Sequence, residues 1–157
     1  MYESVNSRTV RLLLERYGYY FYVIKKIPET KCKCVNITSN SPDPKCKECL
    51  GTGAKIKIFK VYGAVREVKE RESNVTGNIS TTPKVAYIKG FYRFEKDDIV
   101  VDDEDIYHVL AVQHHKGENG EFAFTRLTLP YTKGPTVHFI RNFKELLDEY
   151  KIRKNKK

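Results

Sequence analysis

The amino-acid sequence predicts a mainly β (α+β) domain, with one helix at each end and a four-cysteine loop between its first two long strands. Three observations lead there. Runs in which β-branched and aromatic residues alternate with polar ones recur from residue 19 to residue 129, bounded by Gly, Pro, Asn and Asp. Apolar stripes of helical period occur only before and after that stretch. All four cysteines fall between Cys32 and Cys49. A chain of 157 residues suits one domain with elaborations. We place that domain at 1–150, with a cysteine subregion at 30–54, an exposed loop at 69–83 and a basic tail at 151–157. The aromatic set of 11 Tyr, 8 Phe and no Trp is material for strand cores.

Residues 4–17 read as the first helix. Val10, Leu13, Leu14 and Tyr17 make its apolar stripe, Gly18 stops it, and Ser4, Asn6 or Ser7 caps its start. Arg8, Arg11, Glu15 and Arg16 fall on the wet face. Tyr19–Ile24 is a strand with apolar residues at both parities, so both faces are expected to be covered, by this chain or by another subunit. Val35–Lys45 is a loop of turn formers. Ala54–Tyr62 alternates as a half-buried strand, Gly63 marks a bulge, and Ala64–Val68 resumes the strand. Lys84–Phe94, Ile99–Val101, Ile106–Val112 and Phe122–Leu129 are the remaining strands, with Lys116–Gly120 as a hairpin loop.

The acidic groups Asp97-Asp98 and Asp102–Asp105 lack the Gly and Glu positions of an EF-hand loop, so solvated turns are expected there. Residues 130–135 break the pattern, and Thr136–Ile140 reads as a short edge strand. Asn142 and Glu145 have the spacing of a capping box that opens a final helix, carried by Phe143, Leu146, Leu147 and Tyr150.

Cys32, Cys34, Cys46 and Cys49 are the candidate metal ligands. Each close pair chelates from one tight turn, and the loop between them needs only to return. Four thiolates close a tetrahedral sphere around Zn2+ and leave no position for substrate, so the expected cofactor is structural zinc. Gly51 and Gly53 allow backbone N–H groups to face the sulfurs, and Lys31, Lys33, Lys45 and Lys47 offset the negative charge. A redox Cys-x-x-Cys would open a helix after a strand, whereas this one runs into Gly-Thr-Gly and a strand. Disulfides fit an exported chain. A mononuclear iron centre uses the same ligands and stays open as an alternative to zinc.

The net charge of +9 invites nucleic acid, yet part of the excess sits in the tail and the rest is spread along strands. No apolar run reaches the length of a membrane span, and the start lacks a secretory signal, so assembly in a reducing cytoplasm is expected. No nucleophile elbow or phosphate loop is present, and His114-His115 would point to opposite faces of a strand. The chain is therefore expected not to be an enzyme, with no small-molecule substrate.

Two resemblances follow. Cys46-Lys-Glu-Cys-Leu-Gly-Thr-Gly53 is similar to one Cys-x-x-Cys-x-Gly-x-Gly unit of bacterial J-domain co-chaperones. That family carries four such units and a His-Pro-Asp motif, and this chain has neither, so the likeness is one of local chemistry. Arg16–Lys26, Pro42–Gly53 and Gly63-Ala-Val65, with Phe94–Val100, Asp105–Val112 and Phe122–Leu129, resemble the neck or head-closure proteins of tailed bacteriophages. The likeness covers roughly residues 8–130. It implies a small β-barrel with an N-terminal helix, a virion location, and a homo-oligomeric ring contacting portal or adaptor and tail proteins, near packaged DNA. The cysteine loop and the C-terminal helix depart from the simplest members, so a tail or baseplate completion protein is an alternative. A zinc-ribbon nucleic-acid binder, with Lys55, Lys57 and Lys60 along a groove and Tyr19, Tyr20 and Tyr22 stacking bases, is the competing class.

Overall fold

The computed structural model describes residues 7–67, 84–90, 92–103, 105–116, 123–129 and 137–155. Its elements are α1 (Ser7–Tyr17), β1 (Tyr19–Lys26), β2 (Ile56–Glu67), β3 (Lys84–Lys89), β4 (Ile99–Asp102), β5 (Asp105–His108), β6 (Ala111–Lys116), β7 (Ala123–Leu129) and α2 (Val137–Asn155). The strands form one seven-stranded sheet in the order β5-β4-β1-β2-β3-β7-β6. It is a curled, antiparallel half-barrel, and the chain is mainly β as expected. The chain divides into two compact units. One holds α1, β1 through Val23, β2 from Phe59, and β3 to β7; the other holds Ile24–Ile58 and α2.

In the first unit the period-2 pattern decides which side chains face which way. Val65 lies opposite Ala86, Ala86 opposite Leu127, and Leu127 opposite Val112, so one row of apolar side chains crosses four strands. Phe21, Val23, Val61, Ile88, Val100, Tyr107 and Leu129 join that face in a single buried cluster. The next residues along the same strands point the other way. There Ala64, Val85, Tyr87 and Phe124 pack with Val10 and Leu14 of α1. Of the stripe read from the sequence, Val10 and Leu14 dock with Leu13 packed beside them, whereas Tyr17 is exposed, and Arg11 and Glu15 pair at 3.1 Å on the outer side.

α1 ends where its last carbonyls find donors. The Gly18 N–H and the Tyr62 hydroxyl each donate to the Leu14 carbonyl at 2.9 Å, as orphan carbonyls at a helix end require. Gly63 was expected to mark a bulge, but β2 runs through it unbroken and pairs it with Ile88. The glycine is there for space: a Cβ would collide with the Tyr87 carbonyl oxygen and come within 3.0 Å of the Phe21 ring.

Two strands end earlier than expected. β3 stops at Lys89, where Gly90 turns the chain with φ +93°. The run Ile106–Val112 is two strands, β5 and β6, at opposite edges of the sheet. Only Val109 and Leu110 separate them, so the chain passes from one edge of the curled sheet to the other at that corner. Val109 exchanges backbone bonds with the Asp97-Asp98 turn, and the Leu110 N–H donates to Thr128.

The acidic turns follow turn chemistry. Val101 faces Ile106 and Asp102 faces Asp105 across the β4–β5 hairpin, with Asp103 at φ +54°. Asp98 differs from the expected solvated residue: it is buried, and its carboxylate accepts the Glu95 N–H at 2.8 Å. Asp102 accepts the Tyr19 hydroxyl at 2.8 Å. Its burial raises its pKa, against the lowering effect of that hydrogen bond. A carboxyl whose folded pKa is raised makes the folded state bind more protons than the unfolded one, so its contribution to stability falls as pH rises through the carboxylate range. Asp102→Asn keeps an acceptor for Tyr19 and removes the charge. Its stability relative to the unaltered protein is expected to rise between about pH 3 and pH 6, measured by denaturant unfolding at each pH.

The expected edge strand at Thr136–Ile140 is overturned, since α2 is already helical from Val137. Asn142 is therefore an interior helical residue and not an N-cap. The candidate caps Ser4 and Asn6, the loop 69–83, the hairpin loop beyond Lys116 and the 130–135 break lie outside the described residues.

Candidate metal centre

The cysteine segment begins as the far end of the β1–β2 hairpin. The Ile27 N–H donates to Lys55 at 2.8 Å, the Lys55 N–H to the Thr30 hydroxyl at 3.0 Å, and the Cys32 N–H to Gly53 at 2.8 Å. These bonds hold the two strands together as they enter the segment. Beyond them the loop between the cysteine pairs is closed by its own side chains. The Asn36 carboxamide accepts the Thr38 and Ser39 amides at 2.8 and 3.3 Å, and the Asn40 N–H returns to the Asn36 carbonyl at 2.9 Å. That is an Asx turn, which asparagine forms readily. It brings Cys46 and Cys49 back beside Cys32 and Cys34.

Gly51 and Gly53 both adopt φ +78°, a backbone that glycine tolerates without strain. Each also lies against a proline. A Cβ on Gly51 would sit 3.3 Å from Pro44 Cα, and one on Gly53 3.2 Å from Pro42 Cβ. The Thr52 hydroxyl donates to the Cys49 carbonyl at 2.7 Å and completes the turn.

The four sulfurs converge. Cys32 Sγ lies 3.7 Å from Cys46 Sγ, and Cys34 Sγ 3.5 Å from Cys49 Sγ. All four sulfurs lie within 4.8 Å of one another. Sulfurs at the corners of a tetrahedron, each about 2.3 Å from a zinc ion, are about 3.8 Å apart. None of the four cysteines is joined in a disulfide; Cys32 and Cys49 are buried and the other two half-buried. The four residues singled out in the sequence are thus brought together at metal-binding distance.

Their electrostatics favour a cation. Loss of solvation pushes the Cys34 thiol up to about 12, against the backbone hydrogen bond from Asp43. The backbone hydrogen bond from Cys34 and the Cys34 sulfur lower the Cys32 thiol, but burial and the Cys49 and Cys46 sulfurs leave it raised. Burial also acts to raise Cys49, yet the Gly53 backbone hydrogen bond and its three sulfur neighbours hold it below the ordinary thiol value. One thiolate forms readily in such a cluster. Four thiolates at this spacing would need a cation in place of their protons. The cluster has the donor set and spacing of a closed structural site.

No protein-family model matches this chain, and no curated protein matches it significantly.

Sequence reasoning missed what the second pair touches. The Asn142 side-chain amide donates to the Lys45 carbonyl at 3.2 Å, and Lys47 Nζ lies 2.9 Å from Glu145 Oε2. Lys47 above all, with Arg141 beside it, draws the Glu145 carboxyl below its ordinary pKa. The signal was in the sequence as the Asn142/Glu145 spacing, which places both residues on one helix face as readily as it makes a capping box.

The other candidates do not converge on a site. His114 faces Thr125, with Nδ1 and Oγ1 3.3 Å apart, while His115 stacks on Phe124 at 4.7 Å, so the two rings point to opposite faces as expected. Tyr19 is bound to Asp102. Tyr20 carries the Lys60 ammonium over its ring at 4.7 Å and the Tyr62 ring at 5.2 Å. Among the described residues no helix is long and apolar enough to cross a membrane.

Proposed function

We propose that this chain is a non-enzymatic virion structural protein, a half-barrel subunit of a neck or head-closure ring joining the portal of a bacteriophage capsid to its tail. In this reading Cys32, Cys34, Cys46 and Cys49 hold one structural Zn2+. The protein assembles in the host cytoplasm with copies of itself, beside portal or adaptor and tail proteins and near packaged DNA.

The observation that carries the assembly is apolar surface left over after folding. Leu12, Tyr17 and Tyr20 of α1 and β1 are 50%, 63% and 63% exposed, in a unit that already has two buried clusters. Ring subunits keep such residues outside because a neighbouring copy covers them. Soft sulfur ligands in a closed tetrahedral set support zinc.

A zinc-ribbon nucleic-acid binder is less well supported, because Lys60 already lies over the Tyr20 ring that would stack a base. Sedimentation velocity over a range of concentrations separates the two. The ring proposal expects a closed oligomer as concentration rises. A chain that stays monomeric and binds DNA or RNA with a steep salt dependence overturns it.

A further inference from the structure

We infer that the cysteine segment is the docking platform of α2, so that filling the metal site is what fixes the C-terminal helix in place. The inference rests on the reading that the four cysteines bind a metal, and concerns what that metal controls.

Lys45 and Lys47, the two residues that α2 grips, flank Cys46 on either side. The Lys45 amide is held by the Asp43 carboxylate at 2.9 Å, and the Cys46 amide by the Asp43 carbonyl at 3.1 Å. That turn leaves the Lys45 carbonyl free to accept Asn142 at 3.2 Å. Ligation of Cys46 would fix the backbone on either side of it, and with it the Lys45 carbonyl that Asn142 meets. On the helix side, Asn142 is 6% exposed. Asparagine is a poor interior helix former, and a buried side-chain amide without its acceptor bears the full cost of its lost hydration. α2 is therefore penalised wherever the segment does not present Lys45.

Burial supplies an independent reason. Among the described residues both clusters of packed apolar side chains belong to the first unit. Among the described residues of the second unit the buried apolar ones are Ile24, Cys32, Cys49, Leu50 and Phe143. Two of these are cysteines, so the sulfur cluster stands where a hydrophobic core would. Helices in proteins draw most of their stability from tertiary packing, and α2 has no acidic residue in its first turn to favour it alone. Small units without a core are commonly folded by their metal.

Amide hydrogen exchange read by mass spectrometry on the full chain tests this. The protein is compared with zinc bound, after stripping with a chelator under reducing conditions, and after zinc is restored. Peptides within 139–149 are expected to exchange about tenfold or more faster when stripped, and to recover with zinc. Peptides within 84–89 and 123–129 are expected to stay protected. A double variant, Asn142→Ala with Glu145→Gln, is expected to keep one zinc per chain and still show fast exchange in 139–149. Unchanged α2 protection after removal of a metal that was bound overturns the inference and leaves the metal site standing. Protection lost everywhere at once also overturns it, because the metal would then hold the whole chain. A chain that never binds metal and keeps α2 protected overturns the metal reading itself.

Discussion

Cys49→Ser is expected to abolish stoichiometric metal binding and to lower the thermal transition by about 10 °C or more, since a shift of that size needs only a few kcal/mol in a chain of this length. Apparent zinc-binding free energies of structural sites run to about 10–16 kcal/mol, so the loss of one ligand in four has ample room to produce it. Cys49 is the ligand to choose. It is fully buried and lies 3.5 Å from Cys34. Its Gly53 hydrogen bond favours the thiolate, and its carbonyl anchors both the amide and the hydroxyl of Thr52. Serine keeps the shape and offers a hard, protonated oxygen where the site needs a soft thiolate. Metal analysis together with a thermal melt reads both effects.

Phe21→Ala is expected to cost about 3–5 kcal/mol while leaving metal content unchanged. Phe21 is 2% exposed. Its ring lies in the cluster with Val23, Val61 and Ile88, against the backbone of Gly63 and 5.8 Å from the Tyr19 ring. Neighbours built around an absent side chain at Gly63 cannot close a hole the size of a phenyl ring, so transfer and cavity costs both apply. Denaturant unfolding should show a lower midpoint with one zinc per chain retained, because the cysteines belong to the other compact unit. Phe21→Ala and Cys49→Ser therefore separate the core from the metal by which measurement each one moves.

What was legible in the sequence was what short-range chemistry decides. The cysteine spacing, the turn formers between the pairs and the paired glycines each act within a few residues, and the structure joins them through the Asn36 turn and the Gly53 hydrogen bonds. The α1 stripe and the strand alternation were legible for the same reason.

The misreadings lie where distant partners decide. Thr136–Ile140 has strand composition, but from Val137 onward it belongs to a helix whose Asn142 and Glu145 meet residues 97 and 98 positions earlier in the chain. Ile106–Val112 reads as one strand because nothing local marks the corner at Val109-Leu110. The bend exists because β5 must pair with β4 and β6 with β7 at opposite edges of one curled sheet. Gly63 reads as a bulge because its Phe21 and Tyr87 neighbours cannot be seen along the chain.

Four sulfurs drawn together within 4.8 Å are expected to hold one structural ion. Metal analysis by inductively coupled plasma mass spectrometry, on protein purified under reducing conditions without added metal, tests it most directly when paired with thiol alkylation of the folded chain. One zinc per chain is expected, with all four cysteines protected until a chelator removes it. A folded protein containing no metal, whose four cysteines alkylate freely, would contradict it.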